Sequence, residues 1–267
     1  MKSIEELQSG NSTFSISDAL SEGWALISKH LGYYILGGIL AVFIGMAAGI
    51  IPFVGSLANN LILSPCFMAG GIYITWRISR GIPWTDFGEM FKGFNYLAQV
   101  MVSSLIETAV MVFLLLMFFF ILIPQIMDLI SLSQGQGIYR NQAEIESLVR
   151  GMFLNARVII MFLLFMVAAL LISVIWAFKL HFIVIYKMEA WPAMELSRKV
   201  STRNLLPLIG LFILLGIIIL ISALPCGIGL LFSLPLSIGA VYSAFAQITQ
   251  CNQPDEIELD YTGERTV

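Results

Sequence analysis

Glu107, Lys179 and His181 stand out because each lies within or at the edge of a long apolar run. A carboxylate, an ammonium or an imidazole in such surroundings is costly unless it is neutral, paired or open to water, which makes all three candidate interior polar sites. Glu107 and Lys179 could pair across two helices and serve a lipid or amphiphilic solute, with His181 toward the same depth. The structural alternative has a neutral Glu107 hydrogen-bonded to Ser103, Ser104 or Thr108, and a Lys179 whose amine reaches the interface along an apolar stem. His181 by itself fits an interfacial or core histidine at least as well as a ligand.

Other chemistry is excluded by what the chain lacks. It contains no H-E-x-x-H, G-x-S-x-G or phosphate-loop pattern, and only 2 histidines. A metal site of several histidines cannot be built, and no apolar run holds an aspartate pair for intramembrane proteolysis. The Phe and Met positions read as lipid-facing or core residues, so neither haem nor flavin is implied. The expectation is a non-enzyme with no catalytic, cofactor-binding or metal residues.

The elements that must position these residues are membrane spans. Of the 267 residues 58% are hydrophobic and 12% charged, and the mean hydropathy is +0.90; a soluble domain carries about 25% charged residues. Apolar runs at about 31–51, 57–76, 97–123, 158–178, 205–224 and 228–248 each approach or exceed the roughly 20 residues that cross a bilayer as helix. The expected fold is an all-α, polytopic six-helix membrane bundle over residues 15–249, between a polar N-terminal tail (1–14) and an acidic disordered tail (250–267). Net charge is -3 with no Lys/Arg cluster, so nucleic acid is not an expected partner.

Between the spans lie amphipathic segments suited to the membrane surface. Ile16, Leu20, Trp24 and Ile27 share one face of a helix over 15–30, with Ser15 and Asp18 spaced as a capping box. Phe87, Met90, Phe91 and Phe94 repeat at helical spacing in a second segment. Ile145, Leu148, Val149 and Met152 do so in a third, and 191–204 forms a basic fourth. Ten of the 14 Lys and Arg collect on one side, against Arg140, Arg150 and Arg157 on the other, which places both termini in the cytoplasm. No secretory leader is expected from the acidic N-terminal residues. Cys66, Cys226 and Cys251 read as free thiols, with a Cys66–Cys226 disulfide left open.

Two spans carry a proline followed by the same step: Pro65 precedes Gly70-x-x-Tyr73, and Pro235 precedes Gly239-x-x-Tyr242. Together with a Leu-Ser step in the preceding surface helices (Leu20-Ser21, Leu196-Ser197), this predicts a parallel internal repeat of the first and last thirds. Pro65 and Pro235 are candidate kinks, which fit either simple packing or a transport site. Gly45 and Gly49 form a Gly-x-x-x-Gly step that serves close packing within the monomer as well as it would serve a homo-oligomer.

The segments LSEGWALISKHLGYYILGG, PCFMAGGIYITWRISRGIPWTDFGEMFKGF, AMELSRKVSTRNLLPLIG and PCGIGLLFSLPLSIGAVYSAFAQI together resemble a group of bacterial six-helix integral membrane proteins. That group is similar to the membrane domain attached to some glycerophosphodiester phosphodiesterases, and the matching positions are mainly Gly, Pro and aromatic residues. The resemblance implies a bacterial inner-membrane fold without the soluble catalytic domain, and carries over no catalytic residue. The functional expectation is an accessory or scaffold protein that binds membrane lipid or a membrane-protein partner. The alternative is a small transporter or channel using Glu107 and Lys179.

Overall fold

The computed structural model describes residues 1–10, 13–134, 150–151, 155–225 and 227–252. The amphipathic segment expected around Ile145, together with Cys226 and most of the acidic tail, lies outside the described residues. Everything described is helix, turn or irregular chain, with no strand among the described residues. Among the described residues six helices are long and apolar enough to cross a membrane, which by length and composition makes this a multi-pass, all-helical membrane protein over those residues.

In chain order the elements are α1 (Ile4–Ser9), α2 (Ile16–Ser28), α3 (Leu31–Gly49), α4 (Val54–Ala58), a π turn (Asn59–Leu63) and α5 (Ser64–Ser79). A 3₁₀ helix (Phe87–Tyr96) leads into α6 (Leu97–Gln134). Then follow α7 (Ala156–Ile175), α8 (Lys179–Ile185), α9 (Ala190–Arg203), α10 (Leu205–Ala223) and α11 (Leu230–Thr249). The apolar run expected at about 158–178 ends in a break at 176–178, between α7 and α8.

Contacts divide the chain into two units, Met1–Leu105 with Val174–Val267, and Ile106–Ser173. In the first unit each short helix lies along the second half of a span. α2 runs antiparallel to α11: the Ser15 amide donates to the Gln247 Oε1 at 3.0 Å. Two turns along α2, the Glu22 carboxylate accepts from Ser243 Oγ at 2.7 Å and from Gln247 Nε2 at 2.9 Å. The 3₁₀ helix lies on α5, where Phe67 meets Phe91 and Phe94 edge-on at 5.8 and 5.5 Å. α9 packs on α8 through Ser197. These contacts bury Phe178, Phe182, Tyr242 and Phe245.

Capping starts the short helices as the sequence rules require. Ser15 Oγ accepts from the Asp18 amide at 3.4 Å, but the return bond of the expected box goes instead from Ser15 N to Gln247. Asp is one methylene shorter than the Glu or Gln that completes such a box. A complete box occurs at α1, where Ser3 and Glu6 exchange side-chain and backbone bonds; the Ser3 amide and hydroxyl hold the Glu6 carboxyl below the usual range.

α1 is docked rather than loose. Leu7 is buried, the Lys2 amide donates to the Thr249 carbonyl at 3.0 Å, and Lys2 Nζ donates to the Ile248 carbonyl at 3.2 Å. The Arg203 guanidinium donates to the carbonyls of Leu7, Gln8 and Gly10, where a cation satisfies the orphan acceptors of a helix C-terminus.

Away from these contacts α3 and α10 present large apolar side chains outward, among them Phe43, Met46, Leu220 and Ile221. In water such patches would drive association; in hydrocarbon they meet a matching solvent. The second unit, described by itself, pairs α6 with α7 through Phe118, whose ring lies 5.3 Å from Phe165 and 6.4 Å from Phe162. Its outward residues, such as Phe113, Phe120 and Leu163, are equally apolar.

Candidate functional site

The break between α7 and α8 frees backbone groups that a buried chain must satisfy elsewhere. Ser197, from α9, does so on both sides: its Oγ accepts from the Phe178 amide at 3.2 Å and donates to the Ile175 carbonyl at 3.0 Å. α8 then begins at Lys179, which is only 6% exposed, and its Nζ donates to the Ser103 carbonyl at 3.4 Å. The structure therefore buries this ammonium rather than leading it to the surface. Ser103 Oγ is turned back to the Val100 carbonyl at 2.9 Å.

His181 is 4% exposed and neither ring nitrogen has a hydrogen-bond partner. The Ala177 carbonyl one turn back approaches the ring without meeting hydrogen-bond geometry. The imidazole is boxed by Phe245 at 4.9 Å, Phe178 at 5.9 Å and Tyr242 at 6.3 Å. A buried, unpaired imidazole costs stability, and a group of this kind in a folded protein calls for an explanation. Glu107 is half-buried on α6 in the second unit, whereas Lys179 and His181 belong to the first.

Below His181 the Tyr242 hydroxyl joins three elements: it lies 2.6 Å from Ser79 Oγ on α5 and donates to Asn252 Oδ1 at 2.6 Å. Ser79 Oγ also reaches Asn252 Oδ1 at 3.0 Å. Cys251 is buried beside them, and that burial pushes its thiol pKa up. Thus the first residues past α11 fold back onto α5 and α11. Cys66 is likewise a buried free thiol.

The kink and packing candidates have separate roles. Pro65 falls in the first turn of α5, directly after the π turn, whose pairing reaches the Ser64 amide through the Asn59 carbonyl. Pro235 is buried inside α11, and Ser237 Oγ donates to the Ser233 carbonyl at 2.8 Å beside it. Gly45 lets the π turn approach α3, since a Cβ there would lie 2.8 Å from Asn59 Oδ1; one on Gly49 would meet nothing within 4 Å. Half of the Gly-x-x-x-Gly step is therefore used inside the chain.

One cluster escaped the sequence reading. At the end of α5, Arg77 is ion-paired with Glu89 of the 3₁₀ helix, and Lys92 lies 3.9 Å from the same carboxylate. Arg77 and Lys92 sit 6.0 and 5.3 Å from the Tyr73 ring centroid, and Arg80 sits 5.5 Å from that of Trp76. The signal was available: Arg77 and Arg80 are three apart on one helix, and Glu89 and Lys92 are three apart on the next segment.

Among the described residues no group of three or more His, Cys, Asp or Glu could hold a metal ion. No protein-family model, curated protein or solved structure matches the chain.

Proposed function

We propose that this chain is an accessory or scaffold protein of a bacterial inner membrane, with both termini cytoplasmic, that binds lipid or a membrane-protein partner. The observation that carries the reading is where its polar groups go. Glu22, Gln247, Arg203, Lys2 and Ser197 are engaged in ties between short helices and span ends, which favours a fixed platform over a polar pathway. The short helices supply the surface such a platform would present at the membrane interface. On α9, Trp191 is 67% exposed beside the exposed Glu195–Arg198 pair; the Arg198 hydrogen bonds hold the Glu195 carboxyl below the usual range.

The reading includes a parallel repeat. Its support is that a left-handed residue follows both α5 and α11, Gly81 and Gln250, with φ of 80° and 55°. It also draws on the resemblance to six-helix membrane modules that accompany a catalytic domain elsewhere.

Crosslinking in isolated membranes from positions 198 and 199 tests the proposal. One dominant protein or lipid adduct is expected, and adducts spread over abundant membrane proteins in proportion to their amounts would overturn it.

A second reading, a small transporter or channel for a lipid or amphiphilic solute, draws on the broken α7–α8 run with buried Lys179 and unpaired His181. It needs Glu107 to act with Lys179. Glu107→Gln at unchanged protein level would then abolish solute movement, and unchanged movement would remove its main residue.

A further inference from the structure

We infer that the tight turns after α3 and α10 lie submerged among lipid acyl chains, in the leaflet remote from α2 and α9, so that the chain meets lipid rather than water at those two ends. These turns lie at the opposite ends of the spans from the short helices, and nothing in the accessory reading bears on them.

The sequence supplies nothing there that seeks water. No Asp, Glu, Lys or Arg occurs between Lys29 and Arg77, nor between Arg203 and Asp255. Residues 50–57 and 220–230 also contain no Trp or Tyr, the types that hold a span end at the membrane–water boundary. What the turns present is large and apolar: Phe53 is 85% exposed, Ile50 80% and Leu224 78%. α3 and α10 each start directly after a polar pair, Lys29-His30 and Arg203-Asn204, and each has 19 residues. At about 1.5 Å per residue that is about 29 Å, the depth of the hydrocarbon layer, so neither helix has length to spare for lifting its turn clear of lipid.

Hydrocarbon admits a turn only when the backbone is paired within the chain, and both turns are built that way. In the first, the amides of Ile51, Gly55 and Leu57 donate to the carbonyls of Ala48, Ile51 and Phe53. In the second, those of Leu224, Gly227 and Ile228 donate to the carbonyls of Ile221, Ala223 and Pro225. Glycine keeps each turn compact: a Cβ on Gly55 would collide with the Ala48 carbonyl, and one on Gly229 would lie 2.5 Å from that of Ser222.

The Val54 amide separates lipid from water. It donates to the Pro52 carbonyl at 2.7 Å across Phe53, whose φ of 60° and ψ of -58° form the rare, strained kind of three-residue turn. A bulky residue at positive φ persists only where its surroundings demand it, and the exposed Phe53 ring has no packing within the chain to hold it there. In water the Val54 amide could bond to solvent and the backbone could relax; in hydrocarbon an unpaired amide costs more than the strained turn. Lipid is favoured over a protein cover because the apolar surface runs unbroken from Phe43 and Met46 on α3 into Ile50 and Phe53, and from Leu220 and Ile221 on α10 into Leu224.

The test places a nitroxide on Phe53→Cys or Leu224→Cys in the full chain with Cys226→Ser, reconstituted in vesicles of phosphatidylethanolamine and phosphatidylglycerol. Cys66 and Cys251 are buried, so the label reports the introduced thiol, and Arg198→Cys on α9 is the control. Collisions with oxygen, which concentrates in lipid, are compared with those of a water-soluble nickel chelate. Oxygen should dominate at 53 and 224, and the order should reverse at 198. Dominance of the chelate at 53 or 224 would overturn the inference in favour of water. Weak collision with both reagents there would overturn it in favour of a second copy or a protein partner.

Hydrogen exchange on the unsubstituted chain in the same vesicles guards against a label that disturbs the turn. The amides of Val54, Gly55 and Leu57 should stay protected, and exchange at the rate of a free peptide would overturn the inference.

Discussion

Gly23 of α2 and Gly239 of α11 meet at backbone distance: a Cβ on Gly23 would stand 2.6 Å from the Gly239 carbonyl carbon, and one on Gly239 would stand 2.6 Å from the Gly23 carbonyl oxygen. Neither neighbour is a flexible side-chain end, so neither can move aside cheaply. This contact fixes how the first short helix sits on the last span.

Gly23→Ala and Gly239→Ala should each destabilise the fold by about 1–3 kcal/mol, the range for overpacking. Gly32→Ala, where a Cβ meets nothing within 4 Å, should be neutral or stabilising by up to about 1 kcal/mol because alanine is the better helix former. Thermal unfolding of the three variants in one detergent checks the contrast; equal effects would mean that the crossing is not tight.

Removal of the Ser197 hydroxyl by Ser197→Ala leaves the Ile175 carbonyl and the Phe178 amide at the helix break without their present partner. The expected loss is about 1–3 kcal/mol. Ser197→Thr keeps the hydroxyl and should recover most of it. Backbone hydrogen exchange at 176–178 would rise in the alanine variant alone.

His181→Phe exchanges a buried imidazole without partners for a ring that needs none, inside a box of Phe178, Tyr242 and Phe245. Stability should hold or rise by about 1 kcal/mol, since removing an unsatisfied buried group relieves its desolvation cost. Lost stability would reveal a bound water or ligand that the imidazole serves.

Cys251 should resist alkylation at neutral pH. The thiolate is the reacting form, and burial raises the thiol pKa, so little thiolate is present at pH 7. Tyr242→Phe removes one of the two hydroxyls bonded to Asn252, the other being Ser79, and should speed maleimide labelling of Cys251. A rate equal to wild type would show that this tie does not hold the segment down.

Much of this architecture was legible because it rests on periodicity and length. Six helices among the described residues are long and apolar enough to cross a membrane, as the apolar runs led one to expect. Pro65, a candidate kink by sequence, lies in the first turn of α5, and Cys251 and Asn252, at the start of the expected acidic tail, are packed against α5 and α11. What the pattern could not convey was the partner of each polar face. The face of α2 that reads as solvated carries Glu22, yet Glu22 is tied to Ser243 and Gln247, more than 200 residues away in the chain. Likewise Lys179 could be read as reaching the interface, because its burial depends on Ser103 and on the α7–α8 break rather than on its own neighbours. The Ser3–Glu6 box and the Arg77–Glu89–Lys92 cluster were both within reach of spacing rules, since each is a three-residue step or a pair of such steps.

The central claim is that the chain serves as a platform for lipid or a membrane partner. Its most direct test is extraction from native membranes in mild detergent, followed by mass measurement of the intact assembly. The account predicts the chain together with a partner in fixed ratio or with retained lipid. A chain that carries neither, yet moves a solute across the wall of a reconstituted vesicle, would contradict it.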